Sequence, residues 1–360
     1  MQTPAFIIRG STGLILLALV FNICSKVYAE TRPSEHADSA CNYVVHNLTE
    51  QEQIKAEKPD ITDDDLWLIN TRHLGCMSSK DEFFVDLKVS HFSDSGDWIE
   101  SEIDELLESD SRMTVIYLHG NRISCDEAIS GARNAFAVLQ RESEAPPMRL
   151  IIWSWPSGKI CGQIRDFRSK AFRTDAEGQS LGWFLSRMNA ETRVSLIGYS
   201  YGARIATGAL HVLGGGTLRG QSKPFAVTND DRSPINVVLI AAALHSHWLA
   251  PGGYHDRFSS VADHLLVLYN SRDPVLKRYR FIERCARPVA MGFSGAWGLD
   301  DDLADRTEQY DVRSTVGKTH TEAGFLSSKR VLQGLRQLVR LNAVSAKAIR
   351  KKSASLGAGP

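Results

Sequence analysis

From Met113 onward the chain alternates between two kinds of apolar pattern. Short, predominantly apolar runs occupy residues 113–118, 149–154, 193–199, 235–241 and 264–270. Between them lie stretches with helical apolar spacing, at 126–141, 163–171, 175–188 and 203–213. A continuous apolar run is what a strand shows when both of its faces are covered, and helices between successive strands supply that cover. The fold class this predicts is α/β, with a mostly parallel central sheet and helices on both faces. A last short strand is expected within 309–314, followed by a long amphipathic helix over 321–348.

The region before Met113 is less regular. Residues 66–71 and 83–90 read as strands, and 98–109 reads as a helix because Ile99, Ile103, Leu106 and Leu107 recur at helical spacing. Residues 1–29 read as a signal peptide. Arg9 gives the positive end, residues 13–24 give the apolar run, and Val27-Tyr28-Ala29 gives a cleavage site before Glu30. The run falls short of the roughly 20 apolar residues of a membrane span, so export to a periplasm or medium is expected, with no stable span after processing. Residues 30–112 would then contribute the first strands, 113–345 the catalytic core, and 346–360 an aperiodic tail. No internal repeat or linker interrupts the core. Lys plus Arg and Asp plus Glu are both 42, so no field of one sign points to a nucleic-acid partner. Export permits disulfides, and the mature chain would keep Cys41, Cys76, Cys125, Cys161 and Cys285. Cys125 with Cys161 and Cys41 with Cys76 are the candidate pairs.

In such a sheet, chemistry collects at the carboxyl ends of the strands. The run at 194–199 ends in Gly198-Tyr199-Ser200-Tyr201-Gly202 and is followed at once by a helical stretch. A sharp strand-to-helix turn lifts a serine hydroxyl off the sheet, where a base can take its proton. Ser200 is the candidate nucleophile. Asp273 follows the strand at 264–270, with Asp256 and Asp263 as competitors, and His320 follows the last strand as the only histidine beyond it. In that order, neutral His320 would serve as the base and Asp273 would orient it. Backbone donors for a developing oxyanion are expected at Tyr201, directly after the serine, and at Gly120 or Asn121 in the turn after the 113–118 strand. His119 is read as a support for that turn.

The combination of His119-Gly120, Ser154-Trp155-Pro156-Ser157 and the 198–202 pentad resembles the α/β-hydrolase superfamily. Within it, the chain looks like a poorly characterised bacterial esterase/lipase-like group, over residues 113–341. The resemblance implies a triad of Ser200, Asp273 and His320 and oxyanion donors at Asn121 and Tyr201, while the chain length between two strands points to a small or absent cap. Relatives often carry His and Met beside the serine, where this chain has Tyr199 and Tyr201. Only about 20 residues separate Ala243 from the 264–270 strand, where hydrolases commonly insert a helical lid. An open cleft walled by Trp155, Tyr199 and Tyr201, without strong interfacial activation, is the expectation. His245 and His247 have the look of a metal pair but no companion carboxylate motif, and Gly214-Gly215-Gly216 lacks the strand before it that a phosphate loop needs. No metal or organic cofactor is expected. The reading is an exported serine hydrolase that takes a small ester or acyl substrate. Amide or acyl-transfer chemistry, or a binding protein on the same fold, are the alternatives, and oligomeric state is left open.

Overall fold

The computed structural model describes residues 65–74, 86–108, 113–140, 148–219, 232, 235–281 and 287–336. Residues 1–29, read above as a signal peptide, lie outside the described residues, as do Cys41, Cys76, Cys285 and residues 346–360. Nine strands form one sheet: β1 (Asp65–Asn70), β2 (Lys88–Phe92), β3 (Trp98–Ser101), β4 (Met113–Leu118), β5 (Met148–Ser154), β6 (Val194–Tyr199), β7 (Ile235–Ile240), β8 (Ala262–Tyr269) and β9 (Thr307–Asp311). Their spatial order is β3-β2-β1-β5-β4-β6-β7-β8-β9. Pairing is parallel from β1 through β9, and β2 and β3 add an antiparallel edge.

The α-helices that accompany the sheet are α1 (Ile103–Glu108), α2 (Cys125–Gln140), α3 (Gln163–Arg187), α4 (Tyr201–Leu213), α5 (Met291–Ser294), α6 (Asp301–Asp305), α7 (Arg313–Val316) and α8 (Glu322–Leu326), with a further helical piece described over 329–336. From β4 the chain passes through α2 to β5 on one side. It then returns through α3 to β6 on the other side and continues through α4 to β7. Crossovers between parallel strands are right-handed, so steps in opposite directions place their helices on opposite faces. Accordingly α3 packs along α4 on one face, while α2 meets α8 on the other. The reversal at β4 makes the crevice above β4 and β6 the switch point of the sheet, where ligands of open α/β sheets bind.

Every residue of β4, β5, β6 and β7 is buried, as their predominantly apolar character requires. All of α4 is buried too, which fits a helix apolar on most of its circumference. Two glycines allow α4 to start so close to the sheet. A Cβ on Gly202 would stand 2.0 Å from the Leu118 carbonyl oxygen, and one on Gly198 would stand 2.6 Å from the Cα of Ala203.

Four expectations need correction. The helix expected over 98–109 begins only at Ile103. Residues Trp98–Ser101 pair antiparallel with β2 instead, because a turn held by Ser93 and Asp97 folds the chain back. The two helical stretches at 163–188 are one helix, α3. Its inner face buries Arg173, Thr174, Asp175, Glu177 and Gln179, and these polar residues interrupt the apolar spacing without breaking the backbone. The helix expected over 321–348 stops at Leu326 and resumes at 329, with Ser328 bonded to Thr315 between the two pieces. Finally, Cys125 and Cys161 are not joined by a disulfide. Cys125 opens α2 and takes the Ser154 hydroxyl at 3.7 Å, while Cys161 sits exposed in the turn before α3. Between β7 and β8 the chain carries turns and a 3-10 helix at Asp256–Ser260, with no helical cap inserted there. No helix of the described residues is long and apolar enough to cross a membrane.

Candidate active site

Ser200 occupies the turn between β6 and α4 with φ 54° and ψ −112°, a conformation that costs a residue with a Cβ roughly 1–3 kcal/mol. Its backbone is fixed on both sides: the Ser200 N–H donates to the Ile240 carbonyl at 2.9 Å, and the Ala243 N–H donates to the Ser200 carbonyl at 3.0 Å. The strain is therefore held by β7 and the turn after it. The hydroxyl lies 3.1 Å from His320 Nε2, and His320 Nδ1 lies 2.6 Å from Asp273 Oδ2. With Nδ1–H donated to the carboxylate, Nε2 carries the lone pair that faces the serine. Asp273 is fully buried, and its other oxygen accepts the N–H groups of Val275 and Leu276 at 2.8 and 3.0 Å. The competitors are elsewhere: Asp256 pairs with His211 and Asp263 with His264.

The loop that carries His320 is anchored from below. Asn270, fully buried at the end of β8, donates its amide to the carbonyls of Gly317 and Thr319 at 2.9 and 3.1 Å. The Tyr199 hydroxyl donates to the His320 carbonyl, and the Tyr117 hydroxyl donates to Glu322, two residues further on. Burial pushes the Glu322 carboxyl up to about 7, with the Tyr117 hydrogen bond opposing the shift. Burial also raises the phenols of Tyr117 and Tyr199, next to the Glu322 carboxylate, so both remain donors.

The second half of the site is the turn after β4. His119 donates Nδ1–H to the Gly120 carbonyl at 2.9 Å, while its Nε2 accepts the Trp155 N–H at 3.2 Å and faces Arg72 at 3.3 Å. Burial and the Arg72 charge push this imidazole down to about 3, so it is neutral and holds one tautomer. Gly120 is needed for the close approach: a Cβ there would stand 2.9 Å from the Tyr199 ring and 3.2 Å from the Ser200 Cβ. The next residues are tied to Asp166 of α3, which is fully buried. Arg122, at φ 63°, donates Nε–H to it at 2.6 Å, and the Asn121 amide reaches the same oxygen at 3.4 Å. The N–H groups of Asn121 and Tyr201 have no acceptor among the described residues. Tyr201 heads α4, so its N–H is one that the helix itself leaves unpaired.

The aromatic wall expected of the cleft takes another form. Trp155 is 0% exposed; it stacks on His119 and donates Nε1–H to the His119 carbonyl at 2.9 Å. It lies beneath the turn and supports it. Tyr201 is buried as well, its hydroxyl donating to the Phe167 carbonyl at 3.0 Å, and Tyr199 spans Gly120 and the histidine loop. All three aromatics position backbone. His245 packs against Trp248 and Tyr279, and no group of three His, Cys, Asp or Glu residues among the described ones could hold a metal ion. Sequence reasoning missed Asn270, Glu322, Tyr117, Asp166 and Arg72. Asn270 was the one with a visible signal, since it sits at a strand's carboxyl end three residues before Asp273.

No family model matches the chain, and no curated protein matches it. Among solved structures, a Listeria innocua gene product (lin2722) is similar at 7% identity and TM-score 0.38, over 63% of this chain and 94% of that one. The catalytic core of acetyl xylan esterase from Trichoderma reesei is similar at 15% identity and TM-score 0.35, over 65% and 100%. A cell surface hydrolase from Lactobacillus plantarum is similar at 12% identity and TM-score 0.33, over 69% and 98%. Likeness this distant says nothing of activity. The α/β architecture rests on the strand order and crossovers of this chain.

Proposed function

We propose that the protein is a serine hydrolase that cleaves carboxylic esters through an acyl-serine intermediate. The observation that carries this is the unbroken chain from the Ser200 hydroxyl through His320 to buried Asp273, set at the switch point of the sheet. His320 Nε2 takes the hydroxyl proton as the serine oxygen attacks the ester carbonyl. The N–H groups of Tyr201 and Asn121 receive the negative charge that develops on the carbonyl oxygen. Each such donor typically contributes about 3 kcal/mol to lowering the barrier. His320 then gives its proton to the departing alcohol, and a water molecule repeats the sequence on the acyl-serine, releasing the acid and restoring the hydroxyl. Asp273 holds the imidazole in the required tautomer and balances its charge once protonated. The first 29 residues act as an export signal in this reading, so the mature chain begins at Glu30.

A fluorophosphonate probe tests the proposal directly. Labelling of the wild type, lost in Ser200→Ala along with at least ~1000-fold of ester turnover, is the expected result. An unlabelled wild type would favour a binding protein on a hydrolase fold. Faster turnover of a short acyl amide than of its matched ester would move the activity to amidases.

A further inference from the structure

The segment that follows Asp273 builds a surface that the proposed chemistry does not use. Leu276–Phe281 is a 3-10 helix that turns Leu276 and Tyr279 inward. It presents Lys277, Arg278 and Arg280 to solvent, with Arg272 exposed just before it. Among the described residues none of these four cations has a carboxylate within ion-pair distance, nor does exposed Arg165 on the adjoining helix α3. The only carboxylates within residues 163–172 and 270–281 are Asp166 and Asp273, both fully buried and both occupied in the site. Asp311, which touches Ser271, is taken up by Arg313. In a chain with as many acids as bases, this is a local excess of one sign.

Large apolar side chains are interleaved with the cations. Val275, just before the 3-10 segment, Phe281 at its end, and Ile164 and Phe172 on α3 are between 40% and 55% exposed. Ile164, Arg168 and Phe172 are spaced by one helical turn and share a face of α3. The two elements are joined there, because Arg168 donates to the Phe281 carbonyl at 3.2 Å. Cations without carboxylate partners, among them Arg280 lying over the Phe281 ring, beside exposed apolar groups fit one kind of partner. A dissolved polyanion would leave the apolar side chains in water, and a neutral apolar protein surface would strand the cations. The boundary of an anionic bilayer accepts both, with phosphates at the level of the charges and acyl chains beneath.

We propose that this face docks the protein peripherally on anionic phospholipid surfaces. Asp273 ties the surface to the site, since one of its oxygens caps the segment through Val275 and Leu276 while the other meets His320. Docking through this face would hold the crevice above β4 and β6 near the lipid–water boundary. It would concentrate the protein there without a lid to move.

The proposal stands apart from the catalytic reading, and its test does not use turnover as the readout. The full chain is sedimented with vesicles of phosphatidylcholine alone and of phosphatidylcholine mixed with phosphatidylglycerol. Binding to the mixed vesicles, absent or much weaker on the neutral ones and decreasing with added salt, is expected. The triple variant Lys277→Glu, Arg278→Glu, Arg280→Glu should lower the partition coefficient roughly 100-fold or more, at about fivefold per lost cation. Ile164→Ser with Phe172→Ser should lower it about tenfold at unchanged charge. All five positions are outside the site, so hydrolysis of a soluble short-chain ester and the circular dichroism spectrum serve as fold controls. Equal binding to both vesicle types, a triple variant that binds like wild type, or retention on heparin without any vesicle binding would each overturn it.

Discussion

Replacing Glu322 by glutamine should make the protein more stable at high pH and leave it unchanged at low pH. The carboxyl group titrates at about 7 in the folded protein, against 4.5 for an unhindered glutamate. Between these values the folded protein still holds a proton that the unfolded chain has released, so stability falls as pH rises through that window. The difference of about 2.5 units corresponds to about 3 kcal/mol of penalty, complete above pH 7 and absent below 4.5. Glutamine keeps the shape and still accepts the Tyr117 hydroxyl, but has no charge to desolvate. Urea unfolding of both proteins from about pH 4 to about pH 8.5 isolates the effect, because the other titrating groups cancel in the difference. The gain should be near zero at the acid end and rise to about 3 kcal/mol at the basic end. A pH-independent difference, or a loss of stability at pH 8, would refute the assignment of a buried, reluctantly ionised carboxylate beside Tyr117. Because Glu322 lies two residues beyond His320, the same substitution should slow amide exchange in the histidine loop at basic pH.

Other expectations follow from the packing. Gly202→Ala places a methyl group 2.0 Å from the Leu118 carbonyl oxygen and 2.9 Å from that of His119, both backbone atoms that cannot move aside singly. A loss of about 3 kcal/mol or more is expected, read as a depressed melting temperature, and a wild-type melt would contradict the close contact. Asp166→Asn removes the carboxylate that holds Arg122 and Asn121. If those contacts aim the Asn121 N–H at a developing charge, kcat should fall about tenfold with KM little changed. A raised KM with unchanged kcat would assign Asp166 to substrate binding instead.

Much of the site was legible from the chain because its members occupy ends of elements that local patterns reveal. The run 194–199 is apolar at every position except Ser195 and Gly198, and the pentad that follows it fixes where the strand must give way to a helix. Ser200, Asp273 and His320 each follow a strand that the spacing marks, and order along the chain is preserved by a right-handed, unknotted topology. Local pattern failed where a residue's environment is made by distant segments. Residues 98–101 have helical spacing, yet they are a strand because β2 offers a partner edge. Residues 172–174 look like a break between two helices, yet α3 runs through them, with the buried Arg173 guanidinium taken up by the Leu74 carbonyl and Glu177. Trp155, Tyr199 and Tyr201 were identifiable as neighbours of the site but not by role, since nothing in the sequence says whether an aromatic faces a cleft or fills the space beneath a turn. The supports of the histidine, Asn270 and the Tyr117–Glu322 pair, join residues 47 to 205 positions apart. By itself, then, the sequence determined the α/β class, the strand-to-helix turn that carries Ser200 and the placing of Ser200, Asp273 and His320 after successive strands, which depend on short-range periodicity and backbone sterics. Only the tertiary structure decided which aromatics are buried, which carboxylates carry the turns, and which face is left cationic and apolar, because burial and hydrogen bonding are properties of what surrounds a residue in space.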